Sequence, residues 1–273
     1  MMLLDAGARA PDYFPCCYGA SKAVFRGPRR DLSRPYVAML GGSPTFGKYV
    51  DQPYPALVEQ AMSCPVANLA AQNAGPDFYL SDSGVLEVAR RARVAVVQIS
   101  GAEAMSNPFY RVHSRRNDRF LAATPALRGL FPEADFTEIH FTRHLLQVLL
   151  RTDAGRFAHV ARALQDNWLK KMRRLLACLP ARKVLLWLAD TPPPDRSDGL
   201  ESAPLLIDLR LIDALRSDVS AVVIASPSPR ARAMAPFDMT YPETEVAQAA
   251  CLPGAATHAE VAERLSPVLR GLL

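Results

Sequence analysis

A serine hydroxyl follows a short apolar run and two glycines in Tyr36-Val37-Ala38-Met39-Leu40-Gly41-Gly42-Ser43-Pro44. The apolar run reads as a strand buried on both faces, and the glycines let the backbone turn sharply. Pro44 suits the first turn of a helix, where its missing N–H would have no intrahelical partner. Ser43 therefore stands where open α/β sheets bind ligands, beside a helix start whose free N–H groups suit an anion or a developing oxyanion. The same residues also read as a tight turn with a serine N-cap, so nucleophile and cap are both open locally. To attack a carbonyl, a neutral hydroxyl needs a base within hydrogen-bond reach. His258 precedes the last amphipathic segment in Pro253-Gly254-Ala255-Ala256-Thr257-His258, and it is expected to take the Ser43 proton. Its other reading is a residue at a helix N-terminus in a surface loop. Asp190 and Asp238 follow or end late segments, and either could orient the ring.

A second cluster is Arg111-Val112-His113-Ser114-Arg115-Arg116-Asn117-Asp118-Arg119, with four arginines and one histidine against one aspartate. The planar guanidinium favours carboxylate, phosphate or sulfate in bidentate geometry. Arg111, His113, Arg115 and Arg116 are thus expected to hold an anionic substrate, with an ordinary solvated loop as the other reading. No basic helix or aromatic-interleaved motif accompanies the run, so no nucleic-acid partner is expected. His140 and His144 are four apart in Glu138-Ile139-His140-Phe141-Thr142-Arg143-His144, on one face of an expected helix. Zinc proteases need a glutamate directly after the first histidine, and Phe141 stands there. Packing or substrate contact is expected of the pair, and neither metal nor cofactor is expected.

The elements that must position these groups alternate along the chain. Strands are expected at 36–40, 66–70, 94–99, 183–188 and 221–224, with helices near 54–63, 83–91 and 259–272. This alternation implies a parallel sheet with right-handed crossovers. Residues 1–35 hold Pro, Gly and aromatic residues without periodicity and read as an irregular arm. Within it, Arg26, Arg29, Arg30 and Arg34 read as a solvated face. The gap between the third and fourth strands is far longer than one helix needs. It reads as an insertion over 106–180, a loop followed by a helical pair (137–150 and 153–179) that caps the sheet edge or makes a homodimer contact.

The 273 residues are 49% hydrophobic, enough for one sizeable α/β domain over 36–273, and the net charge of +5 is modest. No apolar run reaches the roughly 18 residues of a membrane span, and the first ten residues do not read as a signal peptide. A cytoplasmic protein is expected. Five cysteines without repeated spacing give neither a zinc pattern nor a disulfide framework.

In order, Leu40 to Gly47, Asn68 to Gly75, Gln98 to Glu103 and Pro253 to His258 resemble the four blocks of the SGNH (GDSL-type) hydrolase superfamily. The resemblance implies a flavodoxin-like three-layer α/β sandwich around a central parallel sheet of about five strands. It also implies a Ser43 nucleophile, a His258 base and a backbone oxyanion donor from Asn73 or Gly75. Gly42, Gly101 and Asn107 would complete the oxyanion and substrate contacts. Three positions depart from the pattern: Gly42 replaces the usual Asp, Glu103 the usual Asn, and Ala255 the acid before the histidine. The expected function is a serine esterase or acyltransferase acting on a polar or anionic small-molecule, glycan or lipid-type ester. The alternative is a non-hydrolytic transferase or binding protein for sulfate, phosphate or an acidic sugar on the same scaffold.

Overall fold

The apolar runs become strands of one parallel sheet in the computed structural model, which describes residues 10–201 and 203–273. The first nine residues of the expected arm lie outside the described residues. Numbered along the chain, the strands are β1 Val37–Leu40, β2 Val66–Asn68, β3 Val94–Gln98, β4 Tyr110–Val112, β5 Phe120–Ala123, β6 Lys183–Leu188 and β7 Ala221–Ala225. The main sheet runs β2-β1-β3-β6-β7 with every pair parallel. This is the flavodoxin-like order, and its topological switch point lies between β1 and β3.

The helices are α1 Ser43–Phe46, α2 Tyr54–Met62, α3 Pro76–Leu80, α4 Ser83–Arg91, α5 Pro125–Leu130, α6 Thr142–Thr152, α7 Ala154–Ala177, α8 Leu209–Asp213, α9 Pro229–Met234, α10 Val246–Ala249 and α11 Ala255–Arg270. Side chains alternate across each strand, so one sheet yields two cores. Val37, Met39, Val94, Val96, Val184 and Leu186 pack against Val58 of α2 and Val261, Leu265 and Leu269 of α11. Ala38, Leu40, Ala95, Val97, Leu185 and Trp187 face the other way, toward α3, α4, α6 and α7. The result is three layers. No helix among the described residues is long and apolar enough to cross a membrane.

The insertion differs in detail from its expected form. It adds an antiparallel hairpin, β4–β5, ahead of the helical pair. The first long helix starts at Thr142 rather than 137, because backbone bonds hold its approach to the hairpin: Phe120 N–H to the His140 carbonyl and Thr142 N–H to the Asp118 carbonyl. His140 therefore precedes the helix, and the expected pair with His144 on one helical face does not form. Among the described residues no group of three or more His, Cys, Asp or Glu side chains gathers as a metal site. Helices α6 and α7 bury Leu145, Leu149, Leu164 and Trp168, while Leu121 and Phe141 stay exposed.

Arg26 corrects the expectation of a solvated arm face, since it is only 5% exposed. Its guanidinium donates to the carbonyls of Phe46, Gly47, Val50 and Asp51, which satisfies a buried charge and fixes the chain after α1.

Candidate functional site

Ser43 opens α1 at the carboxyl end of β1, and its turn is held by the end of β3. The Gln98 side-chain oxygen accepts from Gly42 N–H (3.2 Å), Thr45 N–H (3.3 Å) and the Thr45 hydroxyl (2.6 Å). Gly41 must lack a side chain here, because a Cβ would sit 2.1 Å from Thr45 Oγ1 and 2.6 Å from Gln98 Oε1. Two early N–H groups of the turn are thus already satisfied. The Ser43 N–H has no acceptor among the described residues.

Asn73 provides the partners of the Ser43 hydroxyl. Its φ of 55° lies in the left-handed region, which Asn adopts more readily than most residues. In that conformation its backbone N–H donates to Ser43 Oγ at 3.1 Å, and its side-chain amide lies 3.0 Å from the same oxygen. With the amide oxygen turned to Arg116, it accepts at 3.0 and 3.2 Å and its NH2 donates to Ser43 Oγ. The opposite rotation would set NH2 against a guanidinium, so the first is the favoured orientation. Ser43 Oγ then receives two N–H donors and its own proton is free.

Arg116 reaches Asn73 because Asn117, fully buried, staples the basic loop to the turn after β2. Asn117 Oδ1 accepts from Gly75 N–H (2.7 Å) and Phe78 N–H (3.1 Å), and its backbone N–H donates to the Asn73 carbonyl (3.0 Å). Asp118 completes the row by holding Arg116 bidentately at 3.2 Å.

His258 is placed differently from its expected role. It lies inside the first turn of α11, not before the helix, and it is fully buried. Helix α11 begins early because the Asp238 carboxylate, remote in sequence, accepts from Ala256 N–H at 2.7 Å. His258 Nδ1 accepts from Tyr54 N–H at 3.0 Å, and the ring stacks on Tyr54. Burial, and secondarily the Arg26 charge, push its pKa down to about 3, so the ring is neutral. A neutral imidazole that accepts at Nδ1 carries its proton on Nε2. Nε2 is buried without a partner among the described residues, so the nitrogen a serine would need as base is both protonated and unattached to Ser43. The expected Ser43–His258 couple is not formed.

A cavity of about 650 Å³ opens at the switch point, lined by Ser43, Asn73, Gln98 and Gly101. Four carboxyl side chains, Glu103, Asp118, Asp190 and Glu201, also line it, with one arginine, Arg232. Burial, opposed by its own backbone N–H and by the Arg143 charge, pushes the Glu103 pKa up to about 7.

The other expected site residues divide. Gly42 and Gly101 line the cavity, but the Gly42 N–H is taken by Gln98. The Gly75 N–H is taken by Asn117, which removes it as an oxyanion donor. Asn107 is buried and spends its amide inside its own loop, on Phe109 N–H, Tyr110 N–H and the Met105 carbonyl, so it does not replace the missing asparagine. Arg111, His113 and Arg115 are exposed, and none of the four lines the cavity; of the expected clamp Arg116 alone reaches the site, through Asn73.

Residues 1–273 match the family model described as "Domain of unknown function (DUF6473)". The chain belongs to this family. No curated protein matches it. Among solved structures it is similar to a carbohydrate esterase family 2 enzyme with a carbohydrate-binding domain from Corynascus thermopiles (Myceliophthora fergusii), at 15% identity and a TM-score of 0.45 over 90% of this chain and 68% of that one. It is also similar to a gut microbial diltiazem-metabolizing enzyme, at 11% identity and a TM-score of 0.28 over 70% of this chain and 34% of that one. At these values neither likeness bears on the chemistry of this chain.

Sequence reasoning missed Gln98 and Asn117 as the staples of the site, and Glu103 as more than a departure from a motif. A polar side chain ending the otherwise apolar run Val94–Gln98 was the available signal for the first.

Proposed function

We propose that the protein is a serine-centred acyl-transfer enzyme, an esterase or acyltransferase, with Ser43 as nucleophile in the cavity at the switch point. The observation that carries this reading is the pair of Asn73 N–H donors on Ser43 Oγ, backed by Arg116. Donors aimed at an oxygen favour its charged form and leave the hydroxyl proton free to depart. The Ser43 N–H, without an acceptor among the described residues, is the donor best suited to the oxyanion of a tetrahedral intermediate. With Asp118 paired to Arg116, the remaining carboxyl groups Glu103, Asp190 and Glu201 against Arg232 favour a neutral, hydroxyl-bearing ester over a polyanion, because carboxylates accept from hydroxyls and repel anions. All five cysteines are free, as a reducing compartment such as the cytoplasm would keep them.

The test is turnover of p-nitrophenyl acetate. Ser43→Ala should abolish it, and Asn73→Ala should lower kcat by about 10²-fold, the usual effect of removing one preorganised donor. Equal turnover by wild type and Ser43→Ala refutes the reading. The lack of an imidazole on Ser43 favours a second reading, ligand binding without an acyl-enzyme. That outcome would show as no turnover together with thermal stabilisation by sulfate that is lost in Arg116→Ala.

A further inference from the structure

A proton leaving Ser43 needs an acceptor, and no imidazole bonds Ser43 among the described residues. We propose that Glu103 is this acceptor, taking the Ser43 proton directly or through one water and returning it to the leaving alcohol. The inference rests on the reading of Ser43 as nucleophile and supplies the proton-transfer group that reading lacks.

Three observations point to Glu103. Strands β1 and β3 are parallel neighbours with Leu40 beside Val97, so the turn carrying Ser43 and the loop carrying Glu103 leave the sheet side by side. Both residues line the same cavity, and Gln98 ties the two segments together. The carboxyl group lies over Gly101, where a Cβ would fall 2.0 Å from Oε2 and 2.8 Å from Oε1. There Oε2 is buried and has no hydrogen-bond partner among the described residues, an uncommon state for a carboxyl group.

The loop is rigidly placed. Trp168 of α7 donates to the Ser100 carbonyl (2.9 Å), and Lys171 of α7 donates to the Ser106 carbonyl (2.7 Å). From β4 the Tyr110 hydroxyl bonds the Glu103 backbone carbonyl, not its carboxyl group. Arg143 of α6 is the cation acting on the carboxyl, and Asp118, Asp190, Glu201 and Arg232 share its cavity. A carboxyl held near pH 7 suits proton transfer in both directions at neutral pH.

In acylation the bond from Ser43 Oγ to the acyl carbon forms and the hydroxyl proton passes to the Glu103 carboxylate. The ester C–O bond then breaks and the same proton goes to the alcohol oxygen. In deacylation water attacks the acyl carbon and gives a proton to Glu103, the bond to Ser43 Oγ breaks, that proton returns to Ser43 Oγ, and the acid is released.

The experiment is the rate of Ser43 labelling by a fluorophosphonate between pH 5 and 9 in wild type, Glu103→Gln and Glu103→Asp. Wild type should show an inflection near pH 7. Glu103→Gln should label on the order of a hundredfold more slowly and lose the inflection. Glu103→Asp should keep an inflection at a shifted pH, which a merely structural role would not produce, and it carries the test alone if the Gln variant does not fold. Unchanged rate and inflection in a folded Glu103 variant overturn the Glu103 assignment and leave Ser43 standing. Failure of Ser43 to label in wild type, with p-nitrophenyl acetate turnover indifferent to Ser43→Ala, removes the nucleophile and Glu103 with it.

Discussion

Replacing His258 by Asn separates its structural role from the catalytic one expected of it. The Asn side-chain oxygen can take the place of Nδ1 and keep an acceptor for Tyr54 N–H, while the titrating ring is gone. In the folded protein the His258 pKa falls to about 3, against about 6.5 unfolded, so the unfolded chain binds the extra proton. Stability is fully present above the unfolded value and is lost as pH falls toward about 3. At about 1.4 kcal/mol per pKa unit, acidification from pH 7.5 to 5 costs wild type about 2 kcal/mol through His258. Glu103 acts with the opposite sign. Its folded pKa of about 7 lies above the unfolded value, so its contribution is present below about 4.5 and lost as pH rises through 7. Over the same interval it adds about 2 kcal/mol on the acid side, so the two nearly cancel in wild type. Urea unfolding followed by the fluorescence of the fully buried Trp168 and Trp187 reads the balance. The asparagine variant should gain about 2 kcal/mol over wild type between pH 7.5 and 5, whatever its offset at neutral pH. A difference between the two proteins that stays constant within about 0.5 kcal/mol refutes the buried, neutral His258.

Two further outcomes follow from the staples of the site. Gln98→Leu strands the Gly42 and Thr45 N–H groups, while the Thr45 hydroxyl keeps Tyr54 as partner; denaturation should show a loss of about 2–4 kcal/mol. Arg116→Ala should lower p-nitrophenyl acetate turnover through loss of the Asn73 orientation, whereas Arg111→Ala with Arg115→Ala should leave it near wild type; equal effects would restore the clamp reading of the whole loop.

The sheet was legible because each strand is a short apolar run ended by a turn signal or a polar residue, and the helices between them carry their own periodicity. Helix α4 keeps its expected limits, Ser83–Arg91, with Asp82 capping it through Val85 N–H. What could not be read was set by partners distant in the chain. Arg26 is buried because four carbonyls from the loop after α1 converge on it. Helix α11 takes in His258 because Asp238, remote in sequence, accepts from its first turn. The same holds for the site. Ser43 and Asn73 were singled out at the ends of their strands, but that the Asn73 N–H bonds the serine hydroxyl, and which group serves as base, could not be assigned from order along the chain. Which imidazole nitrogen is free depends on a backbone N–H contributed by Tyr54, and no local pattern reports that contact.

Reactivity of Ser43 in the absence of His258 tests the central claim most directly. Intact-mass and peptide analysis after fluorophosphonate treatment should find the adduct on Ser43 in both wild type and His258→Asn, with rates at pH 7.5 within a few-fold. A folded His258→Asn protein that takes no label where wild type does would restore the imidazole as the base and contradict the account.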